Sequence, residues 1–282
     1  MSETINKTSI RIDNSHGDAL YTDFYNIESE TKLPLVVFCH GFKGFKDWGS
    51  FPYVFERLAV AGNFITAFNF SYNGTGETHE EMMGFARLEL FAQNTFSREL
   101  DDLGSVLDYL QQNQNEYNYD FDNLTLVGHS RGGGIAILKT AEDNRVKRLI
   151  TLSSVSNFDR YSERHKQEWK ERGFFEVMNT RTKQRMRLNY SLLEDLEKNN
   201  DRLNIEKAAE KINIPWLIIH GTEDLAVDYS NAENLFNTGS PDKRELVLLD
   251  NTGHTFGAAH PFEETTPALE NVLTLIIDFL KK

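Results

Sequence analysis

The 282-residue chain carries 43 Asp and Glu against 30 Lys and Arg, for a formal net charge of −13, and has a single cysteine. That acidity repels a phosphate backbone, and no basic face is interleaved with aromatics, so nucleic acid is not an expected partner; Cys39 has no second cysteine with which to form an internal disulfide. Apolar runs such as LPLVVF and IPWLII fall far short of the ~20 residues that cross a bilayer, and the first residues, MSETINKTSIRI, lack the basic-then-apolar pattern of an export signal, so the expectation is a cytoplasmic protein with no membrane partner.

The length suits one α/β domain with an insertion. In chain order, β-rich runs at Thr8 to Asp13, Ala19 to Ile27 and Pro34 to His40 precede a helical pattern at Tyr53 to Ala61 and a strand at Phe64 to Phe70. A helix at Phe96 to Gln112, a strand at Asn123 to Val127, a helix from Arg131 to Asp143 and a strand at Lys147 to Leu152 follow. The alternation resumes with strand Ile214 to Ile219, helix Tyr229 to Phe236, strand Arg244 to Leu249 and a last helix over Pro267 to Lys282. Strands apolar at consecutive positions suit a sheet covered by helices on both faces. These runs give an α/β fold with a mostly parallel eight-stranded sheet, whose functional residues should lie just past the carboxyl ends of the strands.

Between Ser156 and Lys211 the alternation breaks into a charged stretch, read as an inserted cap (156–211) within a core of 1–155 and 212–282. Phe174 to Asn179 and Gln184 to Tyr190 flank a TRTK turn as a possible hairpin, with helices near Leu192 to Lys198 and Ile205 to Lys211. From Arg160 to Arg187, nine Lys and Arg face four Glu. This locally basic segment reads as a solvated helix face in preference to a guide for anionic substrates.

The most specific signal is LTLVGHSRGGG at 124–134, a β-run ending in G-x-S-x-G and opening into a helix. This is a nucleophile elbow in its required setting, with Ser130 at the turn and Gly128 and Gly132 removing Cβ atoms where backbones must approach. A serine hydroxyl needs a base to take its proton. Of eight histidines, His254 in NTGHTF, after a strand and before the final helix, is best placed; His129 sits on a turn expected to point it elsewhere, and His220 precedes the acid loop. The loop HGTEDLAVD supplies the acid, with Asp224 preferred and Asp228 in reserve, the latter alternatively a helix cap. After another apolar strand, HGFKG offers an oxyanion loop in which the N–H groups of Phe42 and Arg131 receive developing negative charge.

With HGF, GHSRGG, HGTED and GH in this order along nearly the whole chain, the sequence resembles the α/β-hydrolase superfamily, and within it the cinnamoyl and feruloyl esterases, with dienelactone-hydrolase-like and serine-aminopeptidase-like proteins nearby. The resemblance implies a catalytic triad of Ser130, Asp224 and His254, an oxyanion hole from Phe42 and Arg131, and hydrolysis of a small-molecule carboxylic ester through an acyl-enzyme, with no metal or organic cofactor. Arg131 stands where the similar esterases often have Gln, and its side chain is a candidate influence on acyl preference. Trp169, Phe174, Phe175 and Tyr190 of the cap, with Phe42 and Phe256 near the catalytic loops, are candidate substrate-recognition aromatics. Amide or peptide hydrolysis, thioester hydrolysis and acyl transfer use the same residues, and a non-catalytic ligand-binding role is the alternative of another class.

Overall fold

The computed structural model describes residues 4–82 and 84–282; the first three residues of the segment read for an export signal lie outside them. The elements run β1 (Ile5–Asp13), β2 (Ala19–Ile27), β3 (Leu33–Cys39), α1 (Phe51–Val60), β4 (Phe64–Phe68), α2 (His79–Met82), α3 (Leu88–Gln93), α4 (Phe96–Gln112), β5 (Tyr119–His129), α5 (Arg131–Glu142) and β6 (Val146–Leu152). Then come α6 (Glu163–Arg172), β7 (Phe174–Asn179), β8 (Gln184–Asn189), α7 (Ser191–Lys198), α8 (Ile205–Lys211), β9 (Trp216–Gly221), α9 (Ser230–Asn237), β10 (Arg244–Leu249) and α10 (Pro267–Leu280).

Eight strands form one sheet in the order β1-β2-β4-β3-β5-β6-β9-β10. β2 pairs antiparallel with β1 and with β4, and every pairing from β4 to β10 is parallel. Side chains alternate across each strand, so Leu35 and Val37 enter one buried cluster with α4 and α5, while Val36 and Phe38 enter another with α1 and α10. Both faces are therefore dry, which is why the strands are apolar at consecutive positions.

After β3 the chain adds β4 on one side of it and later β5 on the other. The loops leaving β3 and β5 consequently diverge to opposite faces, opening a crevice at their carboxyl ends. Cys39 pairs with Gly128 in that register, so the sequence HGF after β3 lies beside the sequence HSR at the end of β5.

Between β6 and β9 stand α6, the antiparallel β7–β8 hairpin, α7 and α8. Trp169, Met186, Leu188, Leu192 and Leu193 share a buried cluster with Leu126 and Ile135 of the sheet and its helix, so this segment is packed onto the body. The helix α6 is the solvated helix face read in the basic segment, but its bounds are not legible because only Trp169 of its residues is buried, leaving no apolar stripe. Its ends are nonetheless marked: Ser162 Oγ accepts the His165 N–H, and Gly173 closes the helix with a left-handed φ of 75°. The short helices α2 and α3 also lack a full period, and β5 begins at Tyr119, earlier than the apolar run suggests.

Candidate active site

Ser130 sits where β5 ends and α5 begins, with φ 57° and ψ −121°, a conformation L-residues adopt only under constraint. Its N–H donates to the Leu152 carbonyl at 2.9 Å, which ties the turn to β6. A Cβ on Gly128 would stand 2.4 Å from the Gly132 carbonyl oxygen, and one on Gly132 would stand 2.3 Å from that of Cys39. Only glycine fits either place, and these contacts hold the serine up at the rim of the crevice.

Thirty residues apart in sequence, Asp224 after β9 and His254 after β10 meet across adjacent strand ends: Asp224 Oδ2 accepts from His254 Nδ1 at 2.7 Å. Asp224 Oδ1 accepts the N–H groups of Ala226 and Val227, each at 2.9 Å. His220 Nε2 lies 2.9 Å from the Val227 carbonyl and 3.2 Å from Asp224 Oδ2. Burial opposes the charge of Asp224, but the hydrogen bonds from His220, from His254 and from Val227 outweigh it and hold the carboxyl well below the usual range. An ionised Asp224 fixes the His254 proton on Nδ1. Among the described residues Nε2 of His254 has no protein partner, and both Ser130 and His254 line one cavity of about 220 Å³. Asp228, the reserve acid, is engaged elsewhere, its Oδ1 accepting the Ser230 N–H at the start of α9.

His129 does not point away from this centre. Its ring lies 4.8 Å from that of His254 and lines the same cavity, and its Nε2 lies 3.0 Å from the His254 carbonyl oxygen. Burial and the neighbouring His254 push its pKa down to about 3. It is a neutral donor that anchors the His254 backbone.

The loop after β3, expected from sequence to supply an oxyanion donor, is organised from below by His40. Its Nδ1 lies 3.0 Å from the Gly41 carbonyl oxygen, and its Nε2 accepts the Phe70 N–H at 3.3 Å. The Gly41 carbonyl also accepts the Gly44 N–H at 3.1 Å. Since a planar peptide sets its C=O and N–H in opposite directions, pinning the Gly41 oxygen fixes the direction of the Phe42 N–H. Burial drives the His40 pKa down to about 4, which keeps Nε2 free to accept. Neither the Phe42 nor the Arg131 N–H is engaged by another group among the described residues, and the latter is an orphan of the first turn of α5.

The Arg131 side chain is buried away from the cavity. Its guanidinium lies 4.9 Å from the Phe42 ring and 4.4 Å from the Phe96 ring, with Nε 3.5 Å from Glu99 Oε2. It therefore braces the loop after β3 against α4, and an influence on acyl preference by direct contact is not what its position allows.

The BD-FAE family profile matches residues 86–238, more than half of the chain, taking in Ser130 and Asp224. The chain belongs to the BD-FAE family. It is 25% identical over 238 residues to the uncharacterised peptidase YuxL of Bacillus subtilis, covering 83% of this chain and about a third (33%) of that longer protein. It is 24% identical over 292 residues to the candidate esterase/lipase 2 of Mycoplasma genitalium, covering 95% of this chain and 98% of that one. Among solved structures it is similar to Est1E from Butyrivibrio proteoclasticus with ferulic acid bound, at a TM-score of 0.74 and 20% identity over 96% of this chain and 98% of that one. This BD-FAE chain thus has the α/β-hydrolase fold, with an eight-stranded, mostly parallel sheet.

Of the six recognition aromatics, Phe42 lines the cavity beside Ser130 and the other five are placed elsewhere. Trp169 is buried, its Nε1 donating to the Leu188 carbonyl at 2.9 Å, with Phe175 and Tyr190 packed in the same cluster. The Phe174 ring has the guanidinium groups of Arg172 and Arg187 at 5.1 and 4.3 Å from its centre. Phe256 is buried in the α1 and α10 layer. None of these five lines the cavity, which is walled by Phe42, Trp48, Phe51, Asn179 and Arg181, with Lys43. Sequence reasoning picked large aromatics, whereas core packing claimed them; the hairpin turn that delivers Asn179 and Arg181 was visible as TRTK, but not the direction in which it faces. A larger cavity, about 640 Å³, lies at the amino ends of β5, β6, β9 and β10 near Asn123, Lys147 and Pro215, the end of a parallel sheet opposite the site.

Proposed function

We propose that this protein is a serine hydrolase that cleaves a small-molecule carboxylic ester through an acyl-enzyme on Ser130, with the 156–211 segment as the cap over its site. The observation that carries the reading is the 2.7 Å Asp224–His254 contact beside a strained Ser130, with two unengaged backbone donors on the same crevice. Ser130 Oγ forms a bond to the carbonyl carbon while His254 Nε2 takes its proton, and the oxyanion faces the Phe42 and Arg131 N–H groups. His254 returns the proton to the leaving alkoxide as the C–O bond breaks. Water then attacks the acyl carbon with His254 again as base, releasing the acid and restoring Ser130. Hydrogen bonds between nucleophile and base commonly tighten only with substrate in place.

The likeness to Est1E with ferulic acid bound and to the candidate esterase/lipase supports an ester as substrate. The likeness to a protein named a peptidase makes amide hydrolysis the second reading. Cys39, a free and buried thiol, is compatible with a reducing compartment, and the cytoplasm is the setting we propose. The test compares p-nitrophenyl butyrate, butyryl p-nitroanilide and a butyryl thioester with wild type and Ser130→Ala. The reading expects Ser130-dependent turnover with the oxygen ester ahead. Faster turnover of the anilide would move the assignment to amide hydrolysis, and equal rates in wild type and Ser130→Ala would overturn it.

A further inference from the structure

Of the nine cations in the basic 160–187 segment, Arg160, Lys170, Arg172, Lys183 and Arg185 are exposed to solvent, and three more are ion-paired. On α6, Arg164 pairs with Glu168, and Lys166 pairs with Asp159 and Glu163; on the hairpin, Arg187 pairs with Glu176. Arg181 is different. Asn179, itself buried, accepts the Arg181 and Thr182 N–H groups through Oδ1 at 3.2 and 3.4 Å, which folds the β7–β8 turn so that Arg181 lines the cavity of Ser130 and His254. Its guanidinium lies 5.6 Å from the Phe45 ring and 5.9 Å from the Phe85 ring, and its Nη2 is buried with no hydrogen-bond partner among the described residues. No carboxylate answers it in an ion pair among those residues. Lys43, which lines the same cavity, has only the Met178 carbonyl, at 3.3 Å, as hydrogen-bond acceptor among the described residues. The cavity lining holds no Asp or Glu, although the chain as a whole carries −13.

Burying a cation without a counter-charge is costly, and both groups feel it: burial pushes the pKa of Arg181 and of Lys43 down. A planar guanidinium with unused donors matches a carboxylate in bidentate fashion, and the match strengthens where water is excluded. We propose that Arg181, with Lys43 lining the same cavity, binds a carboxylate of the substrate, so that the preferred ester carries an acidic group close to the scissile carbonyl. This names the substrate class of the proposed hydrolase and rests on that reading. The segment taken from sequence as a solvated face contains, at this one position, the anion-binding group of the site.

The test uses matched probes. On the acyl side, the mono-p-nitrophenyl ester of adipic acid is compared with p-nitrophenyl hexanoate; on the alcohol side, 4-carboxyphenyl butyrate is compared with 4-carbamoylphenyl butyrate. Wild type should favour the charged member of one pair by about tenfold or more in kcat/KM. Arg181→Met should abolish that ratio, Arg181→Lys should keep part of it, and Lys43→Met should reduce it. A purely structural Arg181, bracing Phe45 and Phe85, would lower both members equally and leave the ratio unchanged, which overturns the proposal. Calorimetric binding of adipate against hexanoate to Ser130→Ala reads the same preference without turnover. Tighter adipate binding that is lost in Ser130→Ala/Arg181→Met would sustain anion recognition even if ester hydrolysis failed, and indifference to the second carboxylate would refute it.

Discussion

Asp224→Asn separates the proposed acid from its neighbours by its hydrogen-bond demands. Oδ1 of Asp224 meets two backbone donors, from Ala226 and Val227, so the asparagine must keep its carbonyl oxygen there. Its NH₂ group then faces His254 Nδ1 and His220 Nε2, both donors to the carboxylate in the wild type. His254 relieves the conflict by moving its proton to Nε2, the nitrogen that has to accept from Ser130. The same exchange of tautomer in serine proteases lowers kcat by ~10⁴, or about 5.5 kcal/mol of barrier, and that is the loss expected here. Asp228→Asn, on an exposed carboxylate that accepts the Ser230 N–H at the start of α9, should leave kcat/KM at the wild-type level. Steady-state hydrolysis of a p-nitrophenyl ester, with thermal melts to show that both variants fold, measures the contrast. Activity of Asp224→Asn within tenfold of wild type, or a deeper loss in Asp228→Asn, would refute the assignment of the acid.

The other expectations follow from single contacts. His129→Leu removes the hydrogen bond to the His254 carbonyl and should lower kcat/KM by about tenfold; an unchanged kinetic profile would show that the His254 loop holds itself. Ser130→Gly should be inactive yet more stable by about 1 kcal/mol, about 2–4 °C in Tm, because glycine accepts the φ of 57° without strain; a melt below wild type would contradict the strain argument. For His40, the folded pKa of about 4 lies below the ordinary 6.5. Its contribution to stability is therefore complete above pH 6.5 and is lost as pH falls towards 4. The stability of wild type relative to His40→Gln should accordingly shrink by about 2 kcal/mol between pH 7.5 and pH 5, measured by urea unfolding at the two pH values, and a pH-independent difference would show that His40 is not held neutral.

The strands β3 to β6, β9 and β10 are legible because each contains a short apolar run, whereas β1, mostly polar and exposed, is legible only by its β-rich alternation; the chemical motifs are legible because each follows an apolar run. Ser130, Asp224 and His254 could be placed at strand ends from sequence, and the structure brings Asp224 to His254 because β9 and β10 are neighbours in the sheet. What sequence could not carry is direction. His129 follows Gly128 on a turn whose sharpness was evident, but whether its ring faced solvent or His254 depended on the β10 loop, 125 residues away. The same limit explains the exchange of Trp169 and Phe175 for Arg181: a buried indole and a cavity-facing guanidinium leave no different mark on a charged, aperiodic stretch. His220 was set aside for preceding the acid loop, yet that nearness lets it reach both Asp224 and the Val227 carbonyl.

The central claim is that Ser130 is an activated nucleophile, and fluorophosphonate labelling of the folded protein, with peptide mass spectrometry to locate the adduct, tests it without a choice of substrate. The account predicts one adduct, on the peptide bearing Ser130, absent from Ser130→Ala and strongly slowed in Asp224→Asn. A folded protein that takes no label, or takes it on another residue, would contradict it.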